Sequence, residues 1–167
     1  MKLNEISPEN LDRNAFKMIG KDWLLITAEN NDRQNTMTAS WGGIGINWGK
    51  PGVYIFIRPQ RYTKEFVDAA DTFSLSVLPE KFRKELSYLG TVSGRDENKI
   101  NKAGLTIEHE AATPYFAEAD LVFICKKLYA QELKPECFID KSCDEKWFAN
   151  KDYHTMYVAE IIKILEK

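Results

Sequence analysis

The chain has 167 residues, of which 44% are hydrophobic and 29% are charged, a balance typical of a folded globular protein rather than a disordered one. Its 23 basic and 25 acidic residues give a net charge of −2, so the excess of Lys and Arg that sequence-independent nucleic-acid binding requires is absent. The longest apolar runs, 53–57 and 121–125, have five residues each, far fewer than the roughly 20 of a membrane-spanning helix. We therefore expect one cytoplasmic domain over residues 1–167, with neither nucleic acid nor a membrane as a partner.

The cysteines and histidines favour neither a disulfide nor a metal site. Cys125, Cys137 and Cys143 are odd in number and form no CxxC pair. The gap between Cys137 and Cys143 is compatible with a disulfide, but the N-terminus lacks a signal-peptide core, so reduced thiols are expected. His109 and His154 are too far apart in sequence to form a zinc motif, and we expect no metal. Cys125 lies in an apolar run and is expected in the core.

The hydrophobic pattern predicts a protein that is mainly β with short helices. Apolar segments bounded by turn residues indicate strands at 23–27, 35–41, 53–57, 72–78, 121–133 and 154–165. The segment 121–133 is long enough to be bent or bulged, and the end of 154–165 could also be helical. Turns are expected at 30–32 and 50–52. The glycines within 42–45 either bend the preceding strand or let a ligand approach its backbone.

Short helices are predicted between the strands. The segment 63–70 has Thr63 as a natural N-cap, and 79–89 has apolar residues at helical spacing with Gly90 just past its end. Further helical segments are predicted near 97–103 and 135–140. Because strands and helices do not alternate in a βαβα rhythm, the pattern argues for an antiparallel barrel rather than a doubly wound sheet.

Polar residues on the strand 35–41 form the first candidate binding element. Their side chains are those of Asn35, Thr36, Thr38 and Ser40. Small residues here would leave backbone N–H and C=O groups open to a flat heterocycle, and Trp41 or Trp48 could supply an aromatic wall. The alternative is a threonine-rich edge strand beside a glycine turn.

A candidate anion site follows at 58–63, where a buried strand leads directly into a helix. A helix N-terminus presents unpaired N–H donors and partial positive charge, both of which favour a phosphate. Arg61 adds a planar fork of donors, and the hydroxyls of Tyr62 and Thr63 could complete the shell. The alternative is that Thr63 merely caps the helix while the arginines lie in solvent.

The polar loop 93–99 is the third candidate element. It would contribute if it brought Ser93, Arg95 or Lys99 to the same anion. The alternative is a solvated connection, which is what most polar loops are.

Taken together and in order, these motifs resemble those of the flavin reductase-like, flavoredoxin-type FMN-binding proteins. The segments that carry the resemblance are 35–42, 58–63, 73–76, 93–99, 113–119, 125–126 and His154. The resemblance spans residues 16–161 and implies an FMN-binding split β-barrel, antiparallel and Greek-key-like. It also implies a homodimer with flavin sites near the subunit interface.

The resemblance assigns roles to individual residues. It implies that the isoalloxazine ring is lined by Met37, Thr38, Ala39, Ser40 and Trp41. It implies that the phosphate is held by Arg61, Tyr62, Thr63, Ser93 and Lys99, with Asn35 and Arg95 also in the cofactor site. His154 is placed near the flavin or a nicotinamide as the candidate catalytic residue; the alternative is a hydroxyl-bonded histidine that opens a strand. The segment 137–151 carries no motif of the family and is assigned no chemistry.

The implied activity is that of an NAD(P)H-dependent flavin reductase-like oxidoreductase. FMN itself accepts the hydride, so no nucleophile or triad is required. The sequence has no GxGxxG fingerprint, and a nicotinamide would therefore stack transiently on the flavin. Two alternatives stay open: a flavoredoxin-type electron carrier reduced by a ferredoxin-like protein, and a flavin-binding module without turnover.

Overall fold

A computed structural model describes residues 2–167. The strands are β1 (Asn4–Ile6), β2 (Leu24–Asn30), β3 (Arg33–Ala39), β4 (Gly42–Asn47), β5 (Lys50–Ile57), β6 (Thr72–Val77), β7 (Ile107–Glu110), β8 (Thr113–Phe116), β9 (Leu121–Glu132) and β10 (Thr155–Glu166). The helices are α1 (Ala15–Lys17), α2 (Tyr62–Ala69), α3 (Arg83–Thr91), α4 (Lys99–Ala103) and α5 (Lys141–Trp147). None of the helices within residues 2–167 has the length and apolar character needed to cross a membrane.

The strands form one antiparallel sheet in the order β3-β2-β6-β9-β10-β5-β4, with β1 added beside β10 and β7–β8 as a separate hairpin. β3 and β4 follow each other in the chain but lie at the two ends of this order. Side chains of β3 and β5 nevertheless meet in one core, because the sheet curls around it. The result is a split barrel, and residues 40–41 cross the split.

Two hydrophobic clusters bury both faces of the central strands. On β9, Phe123 and Cys125 point into the barrel, whereas Val122 and Ile124 pack outside it against a second cluster that includes Leu86 of α3. This explains why the segment is continuously apolar rather than alternating, since both faces of the strand are covered. The expected core position of Cys125 is confirmed, and burial raises the pKa of its thiol.

The predicted strands are present, and the predicted bend or bulge in 121–133 is confirmed by the first of two register shifts between β9 and β10, at which Leu128 is the extra residue. The second register shift lies within β10, which continues as a strand to Glu166 rather than becoming helical. The predicted turn at 30–32 is also present, with left-handed φ values of 50° at Asn31 and 58° at Asp32. Two consecutive residues with left-handed φ are typical of a two-residue hairpin turn, whose twist matches that of the flanking strands.

The expected turn at 50–52 is wrong. The turn lies at Trp48 and Gly49, whose φ values are 50° and 71°, and β5 already begins at Lys50. Pro51 and Gly52 are typical turn residues, whereas composition does not reveal a tryptophan with a left-handed backbone. The prediction therefore placed the turn at 50–52. The strand predicted at 35–41 corresponds to β3, which ends at Ala39, and residues 42–47 form a separate strand, β4.

The helix boundaries need three corrections. Arg61, not Thr63, is the N-cap of α2, and Thr63 is buried within the first turn. α3 continues through Gly90 to Thr91, because Gly90 is in contact with β3: a Cβ there would lie 3.1 Å from the Cβ of Thr38. The helix predicted at 135–140 is only a short turn, Pro135–Cys137, and α5 follows it with Asp140 as N-cap.

Gly94 fixes how closely the loop after α3 approaches β3 and α2. A Cβ at this position would lie 2.1 Å from Oδ1 of Asn35 and 3.2 Å from Cδ1 of Tyr62. Asn35 cannot simply move away, since it is buried and its Nδ2 donates a hydrogen bond of 2.9 Å to Oγ1 of Thr63. Only a residue without a side chain allows this contact.

We predict that Gly94→Ala lowers the free energy of unfolding by about 1–3 kcal/mol, the usual cost of forcing extra volume into a packed site. Urea denaturation measures the change. Gly45→Ala is the matched control, because nothing lies within 4 Å of a Cβ at Gly45. Equal stabilities for the two variants would show that the loop relaxes freely around Asn35.

Candidate functional site

Two connected clefts lie beside the split between β3 and β4. The first, which we call the aromatic cleft, has a volume of about 180 Å³ and is lined by Met37, Thr38, Ala39, Ser40, Trp41, Phe56, Arg58, Arg61, Trp147 and His154. The second, the cationic cleft, has a volume of about 230 Å³ and is lined by Asn35, Met37, Arg58, Gln60, Arg61, Tyr62, Thr63, Thr91, Val92, Ser93, Gly94 and Lys99. The clefts share Met37, Arg58 and Arg61, so one ligand can extend through both.

The cationic cleft contains two positive charges that are satisfied by carbonyl groups alone. Nη1 of Arg61 donates to the carbonyl of Gly90 at 2.6 Å, and Nζ of Lys99 donates to the carbonyls of Leu89 and Val92 at 2.8 and 2.9 Å. Within residues 2–167, neither cation has a carboxylate partner within salt-bridge distance. Both retain unused N–H donors, because an ammonium has three and a guanidinium has five.

Burial makes these charges costly. It is the main reason why the pKa of Lys99 falls to about 8, with the charge of Arg61 adding to the effect. Burial likewise lowers the pKa of Arg61, and Arg58 contributes. Buried charges are normally paired, so an anion from outside the chain would relieve a cost already present in the fold.

The first turn of α2 adds neutral donors to the same cleft. α2 begins at Tyr62, so its first backbone N–H groups have no partner within the helix. Oγ1 of Thr63 accepts a hydrogen bond from Asn35, which leaves its own hydroxyl hydrogen available. Asn35 therefore acts here by orienting Thr63.

The aromatic cleft is walled by rings from four parts of the chain. Trp41 contacts Trp147 edge to face with ring centroids 4.9 Å apart, and it contacts His154 at 5.4 Å. Phe56 completes the wall at 6.5 Å from His154. The backbone of residues 40–41 belongs to no strand, so its polar groups are free of sheet pairing.

His154 lines this cleft and has a ring nitrogen, Nδ1, without a hydrogen-bond partner among the described residues. Its side chain is 7% exposed. Burial, assisted by the charge of Arg58, lowers the pKa of His154 to about 4, so the imidazole is neutral near pH 7. In a neutral imidazole, Nδ1 can either donate one hydrogen bond to a ligand or accept one from it, depending on the tautomer.

The structure brings nearly all the predicted site residues together. Those that line a cleft are Asn35, Met37, Thr38, Ala39, Ser40, Trp41, Arg61, Tyr62, Thr63, Ser93, Lys99 and His154. Arg95 does not line either cleft: it pairs with Glu65, donates to the carbonyl of Gln60 at 3.1 Å and lies over the ring of Tyr62. Trp48 does not line them either; it lies against Tyr129, with ring centroids 6.2 Å apart.

Three residues that line the aromatic cleft were not assigned a role from the sequence, and neither were Gln60, Thr91, Val92 and Gly94 of the cationic cleft. Phe56 lies on β5 and Arg58 directly follows the end of that strand, two residues later, so strand alternation continued by one residue could have identified them. Trp147 comes from the segment 137–151, which had been given no chemistry, and nothing in its local sequence indicates where it packs. Among the described residues, no cluster of three or more His, Cys, Asp or Glu side chains could hold a metal.

Curated proteins of related sequence match part of this chain. An uncharacterized protein of Aeropyrum pernix is 31% identical over 120 residues, which cover 70% of this chain and 44% of that protein. The high molecular weight rubredoxin of Moorella thermoacetica is 29% identical over 116 residues, covering 68% of this chain and 49% of that protein. The chain thus spans about half the length of these relatives.

Solved structures share the fold. An FMN-binding domain of a flavin reductases-like enzyme from Shewanella baltica superposes with a TM-score of 0.71 at 17% identity, over 98% of this chain and 76% of that one. Flavoredoxin from Methanosarcina acetivorans gives a TM-score of 0.66 at 21% identity, over 87% and 68% of the two chains. The family model described as flavin reductase like domain matches residues 18–166. The chain therefore belongs to the flavin reductase-like domain family, and its fold is the split barrel of that family.

Proposed function

We propose that this protein binds FMN and passes electrons from NAD(P)H through the flavin to an acceptor, as a flavin reductase-like oxidoreductase. The observation that carries the proposal is a pair of cations, buried Lys99 and half-buried Arg61, that have no carboxylate partner among residues 2–167 and lie beside a ring-walled cleft. FMN combines a phosphate, which suits the cations, with a flat tricyclic ring, which suits the ring-walled cleft. Neither cleft alone reaches the roughly 300 Å³ of a typical ligand pocket, but joined through their shared residues they do.

The phosphate is assigned to the cationic cleft. The free donors of Arg61 and Lys99 would neutralise its charge, and the hydroxyls of Thr63 and Ser93 with the first amides of α2 would complete its hydrogen bonds. Gly94 keeps the loop close enough for Ser93 to take part. Arg95 lies outside this shell, and we assign it the role of fixing the ring of Tyr62.

The flavin ring is assigned to the aromatic cleft. When bound, FMN supplies the redox chemistry, because its ring takes up two electrons and can release them singly. The unpaired backbone of residues 40–41 would bond the polar edge of the ring. Neutral His154 would hold one further hydrogen bond at Nδ1, and Trp41 with Phe56 would exclude water from the ring.

A second candidate is a flavoredoxin-type electron carrier reduced by a ferredoxin-like protein. It is favoured by the small volume of the aromatic cleft, whose wall includes two tryptophans in direct contact. Steady oxidation of NADH or NADPH by the FMN-loaded chain supports the enzyme. Reduction of bound FMN by ferredoxin alone supports the carrier, and a response to neither would leave only a flavin-binding module.

We also propose a homodimer. A groove of about 430 Å³ that includes Phe16, Ile19 and Ile44 adjoins the aromatic cleft through Trp41. Phe16 is 90% exposed, and Ile46, on the same strand as Ile44, is 70% exposed. Covering such apolar side chains with a second copy would remove them from water.

The dimer predicts a sedimenting species of about twice the 19.3 kDa of one chain at micromolar concentration. Phe16→Ser combined with Ile46→Ser should shift the protein towards the mass of one chain, since both changes weaken apolar association. Sedimentation of the wild-type chain as a 19.3 kDa species would contradict the dimer.

Arg61→Ala should weaken FMN binding by about 1.5–3 kcal/mol, or roughly 10- to 150-fold in Kd, because charge-assisted bonds to the phosphate are lost. Fluorescence titration of the apoprotein with FMN measures this. Arg13→Ala is the matched control, since Arg13 is partly exposed and pairs with Glu166 away from both clefts. An unchanged Kd for Arg61→Ala would remove Arg61 from the site, and a wild-type chain that binds no FMN would end the proposal.

FMN affinity should fall as the pH rises above about 8, the pKa of Lys99 in the ligand-free chain. The phosphate favours the charged ammonium, so binding above this pH requires uptake of a proton, and Kd rises by up to tenfold per pH unit. The phosphate itself stays dianionic in this range, because its second pKa is about 6. The Lys99→Gln variant should bind FMN more weakly than wild type, and the ratio of its Kd to the wild-type Kd should shrink as the pH rises. A constant ratio from pH 7.5 to 9.5 would contradict this role.

A further inference from the structure

The connection between β9 and β10 is far longer than its geometry requires. The two strands are antiparallel neighbours, and the backbone N–H of Leu133 donates to the carbonyl of His154 at 2.9 Å, so the connection closes on itself. Most hairpin connections have two to five residues, so this one is several times the usual length. Here residues 134–153 fill the connection, and α5 lies within it.

This connection is a packed element with its own aromatic core. Phe148 stacks on Tyr153 with ring centroids 5.1 Å apart, and Phe138 lies 5.6 Å from Phe148. Phe148 and Tyr153 are both buried. The hydroxyl of Tyr153 donates to Asp144 at 2.8 Å and ties the end of the connection back to α5. The C-terminal end of α5 is therefore held in a defined position.

Arg58 fastens the connection to the site. Its Nη1 pairs with Asp152 at 2.5 Å, its Nη2 donates to the carbonyl of Trp147 at 2.9 Å, and its guanidinium lies 5.4 Å from the ring centre of Phe148. Arg58 itself lines both clefts. The connection is thus fixed relative to the place where a ligand would lie.

The side chain that this arrangement delivers to the site is Trp147. Among the described residues that line the aromatic cleft, it alone comes from the connection. It touches Trp41 with ring centroids 4.9 Å apart. The two rings meet edge to face and are already in contact, so Trp147 fills space beside Trp41 that a ligand ring would otherwise reach.

We propose that Trp147 biases the flavin towards reductants that need no ring contact, because it partly excludes, and so slows, donors whose own ring must stack on the flavin, NAD(P)H included. This inference rests on the proposed binding of FMN. In hydride transfer, the C–H bond of the dihydronicotinamide breaks and the hydrogen leaves with both electrons for the flavin, which is reduced while the donor is oxidised to a pyridinium. The reacting atoms must approach to about 3–3.5 Å, so the two rings must lie face to face. An electron donor that needs no ring contact is not subject to this exclusion.

The test is anaerobic stopped-flow reduction of the FMN-loaded chain, with NADH as the stacking donor and dithionite as the donor without a ring. Trp147→Ala should raise the rate constant for NADH at least tenfold and change that for dithionite by less than twofold. Trp147→Phe, which keeps an aromatic contact with Trp41, should give a smaller increase. Trp48→Ala is the matched control, because Trp48 is 61% exposed and lines neither cleft.

An NADH rate for Trp147→Ala equal to that of wild type would overturn the inference, and so would equal acceleration of NADH and dithionite. The FMN Kd of every variant is measured in parallel. Failure of the wild-type chain to bind FMN would reject the proposed function itself, whereas normal binding with no change in the NADH rate would reject only the role of Trp147. If Trp147→Ala does not fold, the rate for Trp147→Phe decides the outcome.

Discussion

The site depends on two cations, one buried and one half-buried, whose hydrogen-bond partners are carbonyls at the end of a helix. Arg61 and Lys99 donate hydrogen bonds to the carbonyls of Leu89, Gly90 and Val92. These carbonyls lie at the C-terminal end of α3, where carbonyls lack partners within the helix. A helix C-terminus favours positive charge. The fold can therefore keep both side chains charged without an acidic residue, which would otherwise compete with an incoming anion.

The position of the clefts follows from the topology of the sheet. Because β3 and β4 are consecutive in the chain but lie at opposite ends of the strand order, residues 40–41 must cross the split without sheet partners. Close to this crossing, α2 begins and α3 ends. Free backbone groups, helix-terminal donors and two cations thus meet in one place, although each arises from an ordinary requirement of chain connection.

Local sequence predicts the elements of this site better than their boundaries and contacts. The anion motif and the strand 35–41 could be found because Arg61, Thr63 and their neighbours act near each other in the chain. The turn at Trp48 could not, since its left-handed backbone depends on the hairpin and not on composition. Arg95 has the right charge and position in the sequence, but Glu65 and the ring of Tyr62 hold it outside the clefts. Such competition between partners is a property of the folded state.

The barrel and the long connection before β10 contribute different things to the site. The barrel strands, the start of α2 and the segment from the end of α3 to the start of α4 provide almost all the groups in the clefts that can bind a ligand. The connection provides Trp147, whose side chain adds no charge to the clefts but restricts the space in the aromatic cleft. Under the proposed function, binding and access would therefore be determined by separate parts of the chain, joined through Arg58. A change in the connection would then alter which molecule reaches the flavin while the groups proposed to hold it stay in place.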